Sequence, residues 1–362
     1  MMYKIDLVVI GGGPAGLMAA NTAAEAGAEV LLLERDGHLG GQLVKQTHKF
    51  FGSEKQHASV RGIDISTMLG DRLDSFGDRA TVWKNATAIG FYEDGVITVD
   101  HDGVYKKVKP KRVVVATGAS EKFLSFPNND LPGIYGAGAV QTMMNVYGIR
   151  PGHRVLMIGA GNIGLIVSYQ LMQAGVSVAA IVEGLPQIGG YAVHAGKVRR
   201  AGVPILTSHT ILRADGQESV ERATIARIDR TWNAIPETER TIECDVICIS
   251  VGLTPLAELL WQAGCEMRYI PALGGSVPLR NDCLETTVKG VYVAGDVTGI
   301  EEASAAMVEG HLAGLEAAAS LGFKSDSYDA ERKGLHGSVG GASVRPDRRE
   351  DPSRASPVPH AR

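Results

Sequence analysis

Cysteine is scarce in this chain: four of 362 residues, at 244, 248, 265 and 283, and no two form a C-x-x-C pair. That spacing suggests no secretory disulfide framework, and no His/Cys cluster has metal-ligand spacing. A basic excess is also missing. The formal net charge is −4, so no field draws the chain toward nucleic acid. No window holds 18 or more uninterrupted apolar residues, which excludes the usual signature of a membrane-spanning helix. Met1-Met2-Tyr3-Lys4-Ile5-Asp6 runs straight into a strand with no apolar leader core. A reducing cytoplasm is the default expectation. Aromatic residues are sparse at 6%.

Glycine is abundant, with 45 residues. It costs backbone entropy on folding, so an excess needs a local reason. Hydrophobic residues at 44% and charged residues at 21% are ordinary for a globular protein. At roughly 150 residues per domain, the length predicts two domains.

The glycines mark a repeat. Leu7-Val8-Val9-Ile10 reads as a buried strand, Ala15 to Ala26 as an Ala-rich helix ending at Gly27, and Val30-Leu31-Leu32-Leu33 as a second strand. That is a parallel β-α-β unit. The pattern returns 148 residues later. Val155 to Ile158 is a strand, Ile163 to Ala174 a helix ending at Gly175, and Val178 to Val182 a strand. Two copies at this separation predict an α/β fold of two Rossmann-like dinucleotide-binding domains. Strands ending in glycine recur at Arg112–Gly118, Val246–Gly252 and Gly290–Asp296, and an Ala-rich helix spans about Glu302 to Leu321. Residues from about 324 to 362 turn rich in Gly, Ser, Pro, Arg and Asp. They read as a disordered tail, because they bury too little to offset ordering entropy.

Each unit carries G-x-G-x-x-G directly between strand and helix. In Gly11-Gly12-Gly13-Pro14-Ala15-Gly16, Gly11 permits the tight turn and Gly13 lets backbone approach a diphosphate. Gly16 lets helix pack on strand. The helix start then offers N–H groups and a positive dipole to phosphate. Glu34, 23 residues after Gly11, closes the second strand, where a carboxylate accepts bonds from ribose hydroxyls. Gly159-Ala160-Gly161-Asn162-Ile163-Gly164 repeats the motif, with Glu183 at 24 residues. An acid there favours a free 2′-hydroxyl, so NADH is expected over NADPH. The alternative is a retained fold with an empty or altered pocket.

Taken in order, Gly11 to Gly16, Glu34, Gly40-Gly41-Gln42-Leu43, Ala116-Thr117-Gly118, the second glycine motif and Gly295-Asp296 resemble the two-dinucleotide-domain flavoprotein superfamily. The size is that of thioredoxin reductase, and the resemblance covers roughly residues 4 to 322. It implies an FAD domain split in sequence (1–120 and 251–323) with an NAD(P)-binding-like domain (121–250) inserted. It implies FAD contacts at Gly11 to Gly16, Glu34, Arg35, Gly41, Gln42, Leu43, Ala116 to Gly118, Gly295, Asp296 and Ala303. Gln42 is placed near the flavin ring, or is a simple turn residue. Asp296 is placed at the ribityl or pyrophosphate part, and the helix after it points its positive end at the flavin. Gly159, Gly161, Asn162, Ile163, Glu183 and Gly252 fall in the second nucleotide site.

The departures narrow the expectation. The stretch where thioredoxin reductases carry C-x-x-C reads Tyr135-Gly136-Ala137-Gly138-Ala139-Val140. The glutathione-reductase position after Gly40-Gly41 is also free of cysteine. Disulfide reduction needs a thiolate at the flavin, so a disulfide reductase is rejected. The Ala-rich helix with Glu309-Gly310, and the segment Gly136 to Gly148, look more like alpha subunits of amine and imino-acid dehydrogenases and oxidases. The expected activity is hydride transfer between NAD(P)H and a small-molecule substrate or electron carrier. The alternative is an electron-transferring subunit with a non-catalytic second nucleotide domain. Either a homodimer or a heteromeric partner is compatible. Lys45, His48 and Lys49, in a segment running past Phe51-Gly52-Ser53 to His57, Arg61 and Asp64, could bind an anionic substrate or donate protons. They could equally form a polar loop. His194 with Lys197, Arg199 and Arg200 reads either as a phosphate contact or as a solvated helix face.

Overall fold

The computed structural model of the chain describes residues 2–50 and 57–336. Phe51-Gly52-Ser53 and the tail beyond 336 lie outside the described residues. The chain divides into two compact units. The first takes residues up to Ser120 and resumes at Thr254; the second, Glu121–Leu253, is inserted between.

In the first unit a strand whose second half, Leu7–Ile10, is an unbroken apolar run sets the centre. Such a run needs cover on both faces, as in a parallel sheet. Met2–Ile10 pairs in parallel with Val30–Leu33 on one side and Val104–Val115 on the other. Ala80–Trp83 and Val291–Val293 extend the parallel sheet outward. On its other edge the early half of Val104–Val115 pairs antiparallel with Ile97–His101, which pairs in turn with Ala86–Phe91. Alternation then sorts the side chains. Leu7, Val9, Val30, Leu32 and Val114 face the helices. Val8, Ile10, Leu31, Leu33, Val113 and Val115 fill a second core on the opposite face. Each fully buried Leu or Ile among them contributes about 1.5–3 kcal/mol.

Small residues bring two helices of this unit together. Pro14–Ala26 lies against Ala303–Ser320. A Cβ built on Gly310 would fall 2.1 Å from the Ala15 carbonyl oxygen, and one on Gly314 would fall 2.4 Å from that of Ala19. Only glycine permits so close a backbone approach, which holds the first helix in place over the sheet.

The expected disordered tail begins too early. Tyr328–His336 is a helix. Composition alone missed it because its anchors are polar. Arg332 donates to Glu316 at 2.5 Å, Tyr328 donates to the same carboxylate at 3.2 Å, and His311 faces Glu331 at 3.1 Å.

The second unit repeats the plan on its own. Its sheet is wholly parallel, in the order Ile205–Thr207, Ser177–Glu183, Arg154–Ile158, Val246–Ile249, Ile134–Gly136. Helices Asn162–Gln173 and Ala192–Arg200 accompany it. A three-stranded antiparallel sheet, His209–Asp215, Arg222–Arg227 and Arg240–Glu243, completes the unit. No helix among the described residues is long and apolar enough to cross a membrane.

Candidate functional site

The two glycine turns can be compared atom by atom. In the first unit Gly11 has φ +104°, and a Cβ there would sit 2.3 Å from the Ala116 carbonyl oxygen. A Cβ on Gly16 would sit 1.8 Å from the Gly11 oxygen. Both glycines are therefore demanded by packing within the protein. Gly13 is different: its Cβ would meet nothing closer than the Gly41 Cα at 4.0 Å. Gly13 ends the turn with no side chain capping the helix, and Pro14 follows at the first helical position. The next N–H groups of Pro14–Ala26 are thus left for another acceptor.

Gly159, Gly161 and Gly164 reproduce this division. A Cβ on Gly159 (φ +106°) would lie 2.0 Å from the Ser250 oxygen, and one on Gly164 2.2 Å from the Gly159 oxygen. Gly161 would meet nothing within 4 Å and starts Asn162–Gln173 with no side-chain cap. The middle glycine of each motif faces open space at a helix start. A diphosphate needs that arrangement, and a merely structural turn does not.

The two acids also match. Glu34 is buried; its Oε2 accepts the Gly12 N–H at 2.7 Å and its Oε1 accepts that of Asp36 at 2.8 Å. Glu183 accepts from Ala160 at 2.8 Å and from Leu185 at 2.9 Å. Each carboxylate is clamped against its glycine turn by backbone donors. Each oxygen keeps a second lone pair for a hydroxyl donor.

The duplication runs further than the sequence motifs suggest. Gly40 donates its N–H to the Gly12 carbonyl at 2.8 Å, and Gly190 donates to that of Ala160 at 3.0 Å. A Cβ on Gly41 would meet the Gly13 Cα at 2.9 Å, and one on Gly190 the Gly161 carbonyl carbon at 2.8 Å. Gly190 thus closes the second glycine turn as Gly40 and Gly41 together close the first. The repeated double glycine was the available signal for it.

Other predicted residues fall into clear groups. Leu43 is fully buried in the core, whereas Gln42 and Arg35 are exposed. Ala116 is buried beside Gly11. The Thr117 hydroxyl donates to the Leu256 carbonyl at 2.6 Å, and Gly118 has φ +74° with open space where a Cβ would go. Asn162 accepts the Tyr191 N–H at 2.8 Å, Ile163 is exposed, and Gly252 has φ +116°. Arg199 and Arg200 are exposed on the last turn of Ala192–Arg200, while His194 is buried, which lowers its pKa with help from Lys197. Lys197 itself lies over the Tyr169 ring at 5.6 Å. Lys45 and Gln46 end a short 3-10 turn, and Lys49 bridges to Arg61 just before the helix Gly62–Asp74.

A polar cluster holds the Gly295-Asp296 loop. Glu309, buried, accepts the Gly295 N–H at 2.8 Å and the Thr298 hydroxyl at 3.0 Å. Its other oxygen takes Arg280 at 2.7 Å, and that arginine is 5% exposed. Arg280 Nη1 is buried without a hydrogen-bond partner among the described residues, so the cluster has donor capacity to spare. Asp296 follows at once. Burial pushes its carboxyl up to about 6, with Glu309 and Glu301 adding to the rise against a single N–H bond from Glu301. A buried carboxylate with so few donors is suited to receive hydroxyl groups from a ligand. Ala303 then opens the helix Ala303–Ser320, which has no side-chain cap. Arg280, remote in sequence and in no motif, was not anticipated.

The segment Tyr135-Gly136-Ala137-Gly138-Ala139-Val140 carries no cysteine. The start of Ala137–Asn145 is occupied by Glu121, whose carboxylate accepts the Gly138 N–H at 2.6 Å. Cys244, Cys248 and Cys265 are buried, and none of the four cysteines is paired. Burial pushes the Cys244 thiol to about 12, with Asp245 and Glu243 adding to it, and raises Cys248 and Cys265 as well. Thiols held neutral in this way do not act as nucleophiles at neutral pH.

Comparison with known proteins gives the family and the fold. The family description "Pyridine nucleotide-disulphide oxidoreductase" matches residues 5–310. An opine oxidase subunit of Agrobacterium tumefaciens (strain Ach5) is 29% identical over 87% of this chain and 66% of its own length. The alpha subunit of sarcosine oxidase of Corynebacterium sp. (strain P-1) is 26% identical over 88% of this chain and 33% of its own. The chain therefore spans under two thirds of one relative and a third of the other. The fold is that of the thioredoxin reductase of T. acidophilum, with TM-score 0.71 at 21% identity over 88% of this chain and 99% of that one. It is also that of the L-proline dehydrogenase of P. horikoshii, with TM-score 0.70 at 23% identity over 93% and 60%.

Proposed function

The chain belongs to the pyridine nucleotide-disulphide oxidoreductase family, and we propose that it holds FAD in its first unit and NADH in its second, transferring hydride between NADH and a second substrate or carrier. One observation carries this reading. Gly13 and Gly161 each open onto free space at an uncapped helix start, while their flanking glycines are locked by packing.

The donor set of the first unit fits FAD. The helix Pro14–Ala26 would hold the diphosphate by backbone N–H groups, and Glu34 would take the adenosine ribose. Asp296 would accept ribityl hydroxyls and so recover the hydrogen bonds that burial denies it. The uncapped start of Ala303–Ser320 favours negative charge placed near it. When bound, the flavin supplies the two-electron redox chemistry. In the second unit Glu183 selects a ribose with a free 2′-hydroxyl, because a 2′-phosphate would set like charge against it. The buried Cys244, Cys248 and Cys265, and the half-buried Cys283 whose thiol is also raised by burial, leave a dithiol partner out of the proposal.

Anaerobic titration of the purified yellow protein tests this. NADH should bleach the flavin absorbance, and NADPH should do so at much higher concentration or not at all. A flavin that neither coenzyme bleaches would remove the hydride-transfer role.

The names and lengths of the relatives support a second reading. Both are subunits, and this chain matches only part of each. On that reading the chain relays electrons for a partner that oxidises an amine or imino acid. A second polypeptide copurifying at fixed stoichiometry, with no response to NADH, would favour it.

A further inference from the structure

The loop after Glu183 is covered by a residue from another part of the second unit. A Cβ on Gly184 would lie 2.5 Å from Cζ3 and 2.7 Å from Cη2 of Trp232, so the indole edge rests directly on the Gly184 backbone. Only glycine can occupy 184 with the ring in place. Trp232 is nevertheless 52% exposed, and Leu185, on the other side of Gly184, is 51% exposed.

Trp232 is held there against its own preference. Its φ is +66°, a left-handed conformation unfavourable for a bulky residue. The turn that imposes it is fully bonded. Asp229 Oδ1 accepts the N–H groups of Thr231 and Asn233 at 2.8 and 2.9 Å and the Thr231 hydroxyl at 2.8 Å. Trp232 donates its N–H to the Asp229 carbonyl at 3.1 Å, and Asp229 donates to that of Asn233 at 3.0 Å. The turn is also tied to the acid loop. Ser208 donates to the Leu185 carbonyl at 3.0 Å, and Ile228 donates to the Ser208 carbonyl at 2.8 Å. An aromatic face is thus strained, braced and left open to solvent, one residue from the carboxylate clamped against the second glycine turn.

We propose that Trp232 forms the outer wall of the adenosine pocket in the second unit, its ring stacking on the adenine of a dinucleotide whose ribose is taken by Glu183. The proposal rests on the reading of that unit as a nucleotide site. Leu185 supplies apolar surface beside the ring, and Gly184 is small so that the ring can lie close. Recognition of the base comes from area and stacking, not from hydrogen bonds, so any adenine nucleotide with a free 2′-hydroxyl is accepted.

The chain has three tryptophans, at 83, 232 and 261. With Trp83 and Trp261 changed to Phe, fluorescence of the remaining Trp232 should be quenched on adding NAD+ and, separately, AMP. Nicotinamide mononucleotide should leave it unchanged. In the otherwise native chain, Trp232→Ala should weaken NADH binding about tenfold, while Trp232→Phe keeps most of it. Bound flavin and the unfolding temperature should stay near native in both. If native protein binds no adenine nucleotide, the reading of the second unit falls and the proposal with it. If native protein binds NADH and Trp232→Ala binds it equally well, or AMP leaves the Trp232 signal unchanged, the proposal alone is overturned. Should Trp232→Ala fail to fold, the fluorescence of the native residue still decides.

Discussion

The first and second units share a glycine turn, a clamped acid and a closing double glycine, yet they are furnished differently beyond that. The first adds a buried Arg280–Glu309 pair and, beside it, Asp296. The second has an exposed tryptophan over Gly184 instead. On the proposed reading the shared part would take a diphosphate and a ribose in each unit. The added parts would then set what else each ligand presents: a polyhydroxyl chain in the first unit, a base stacked at the surface in the second. In both units those added residues lie outside the β-α-β motif.

The sharpest test separates packing glycines from ligand glycines. Gly16→Ala places a methyl 1.8 Å from the Gly11 oxygen and should leave little folded protein, whereas Gly13→Ala should fold normally yet retain little flavin. Thermal unfolding and flavin per chain measure both. A Gly13→Ala protein with full flavin would show that the open space is not where the ligand passes.

Next in size is Glu309→Ala. It strands a buried guanidinium, so it should cost about 3–5 kcal/mol in chemical denaturation. An equal loss from Glu183→Ala would erase the contrast between the units, since Glu183 is clamped only by backbone donors.

Asp296 gives a pH signature peculiar to the first unit. Its carboxyl is raised from 3.8 to about 6 in the folded chain. The unfolded chain therefore releases the proton first as pH rises. Stability from this group is complete below about pH 4 and is lost through about pH 6. The rise corresponds to a loss on the order of 3 kcal/mol in cofactor-stripped protein. Asp296→Asn should flatten that slope in unfolding measured from pH 4 to 7; an unchanged slope would assign it to other groups.

The smallest effect is on coenzyme choice. Glu183→Ala should raise the NADH dissociation constant by roughly tenfold or more, the worth of a hydrogen bond to a charged group, while leaving flavin content unchanged. NADPH should be weakened less. Loss of flavin in this variant would mean that the two sites do not divide as described.

Much of this was legible in the sequence because local chemistry fixes it. Leu7 to Ile10 and Val155 to Ile158 could only be buried strands. Gly11, Gly16, Gly159 and Gly164 sit where a Cβ would strike backbone, and that necessity is what the motif encodes. Glu34 and Glu183 follow from strand length. Contacts made across long separations were not legible. Arg280 meets Glu309 from 29 residues away, and Trp232 reaches Gly184 through a turn whose Asp and Thr carry no periodic signal. The Tyr328–His336 helix was missed for a related reason. Its attachment runs through polar pairs to the preceding helix, Arg332 to Glu316 and Glu331 to His311, and its own charged residues, Glu331 and Arg332, are ones that composition counts toward disorder.

The central claim is that the chain carries two dinucleotide sites of separate identity, and ligand stoichiometry tests it most directly. Flavin released from denatured protein should amount to one FAD per chain. Calorimetry on the flavin-loaded protein should then show one NADH bound per chain without displacement of FAD. A colourless protein that takes up no added FAD, or NADH that binds only by expelling it, would contradict the account.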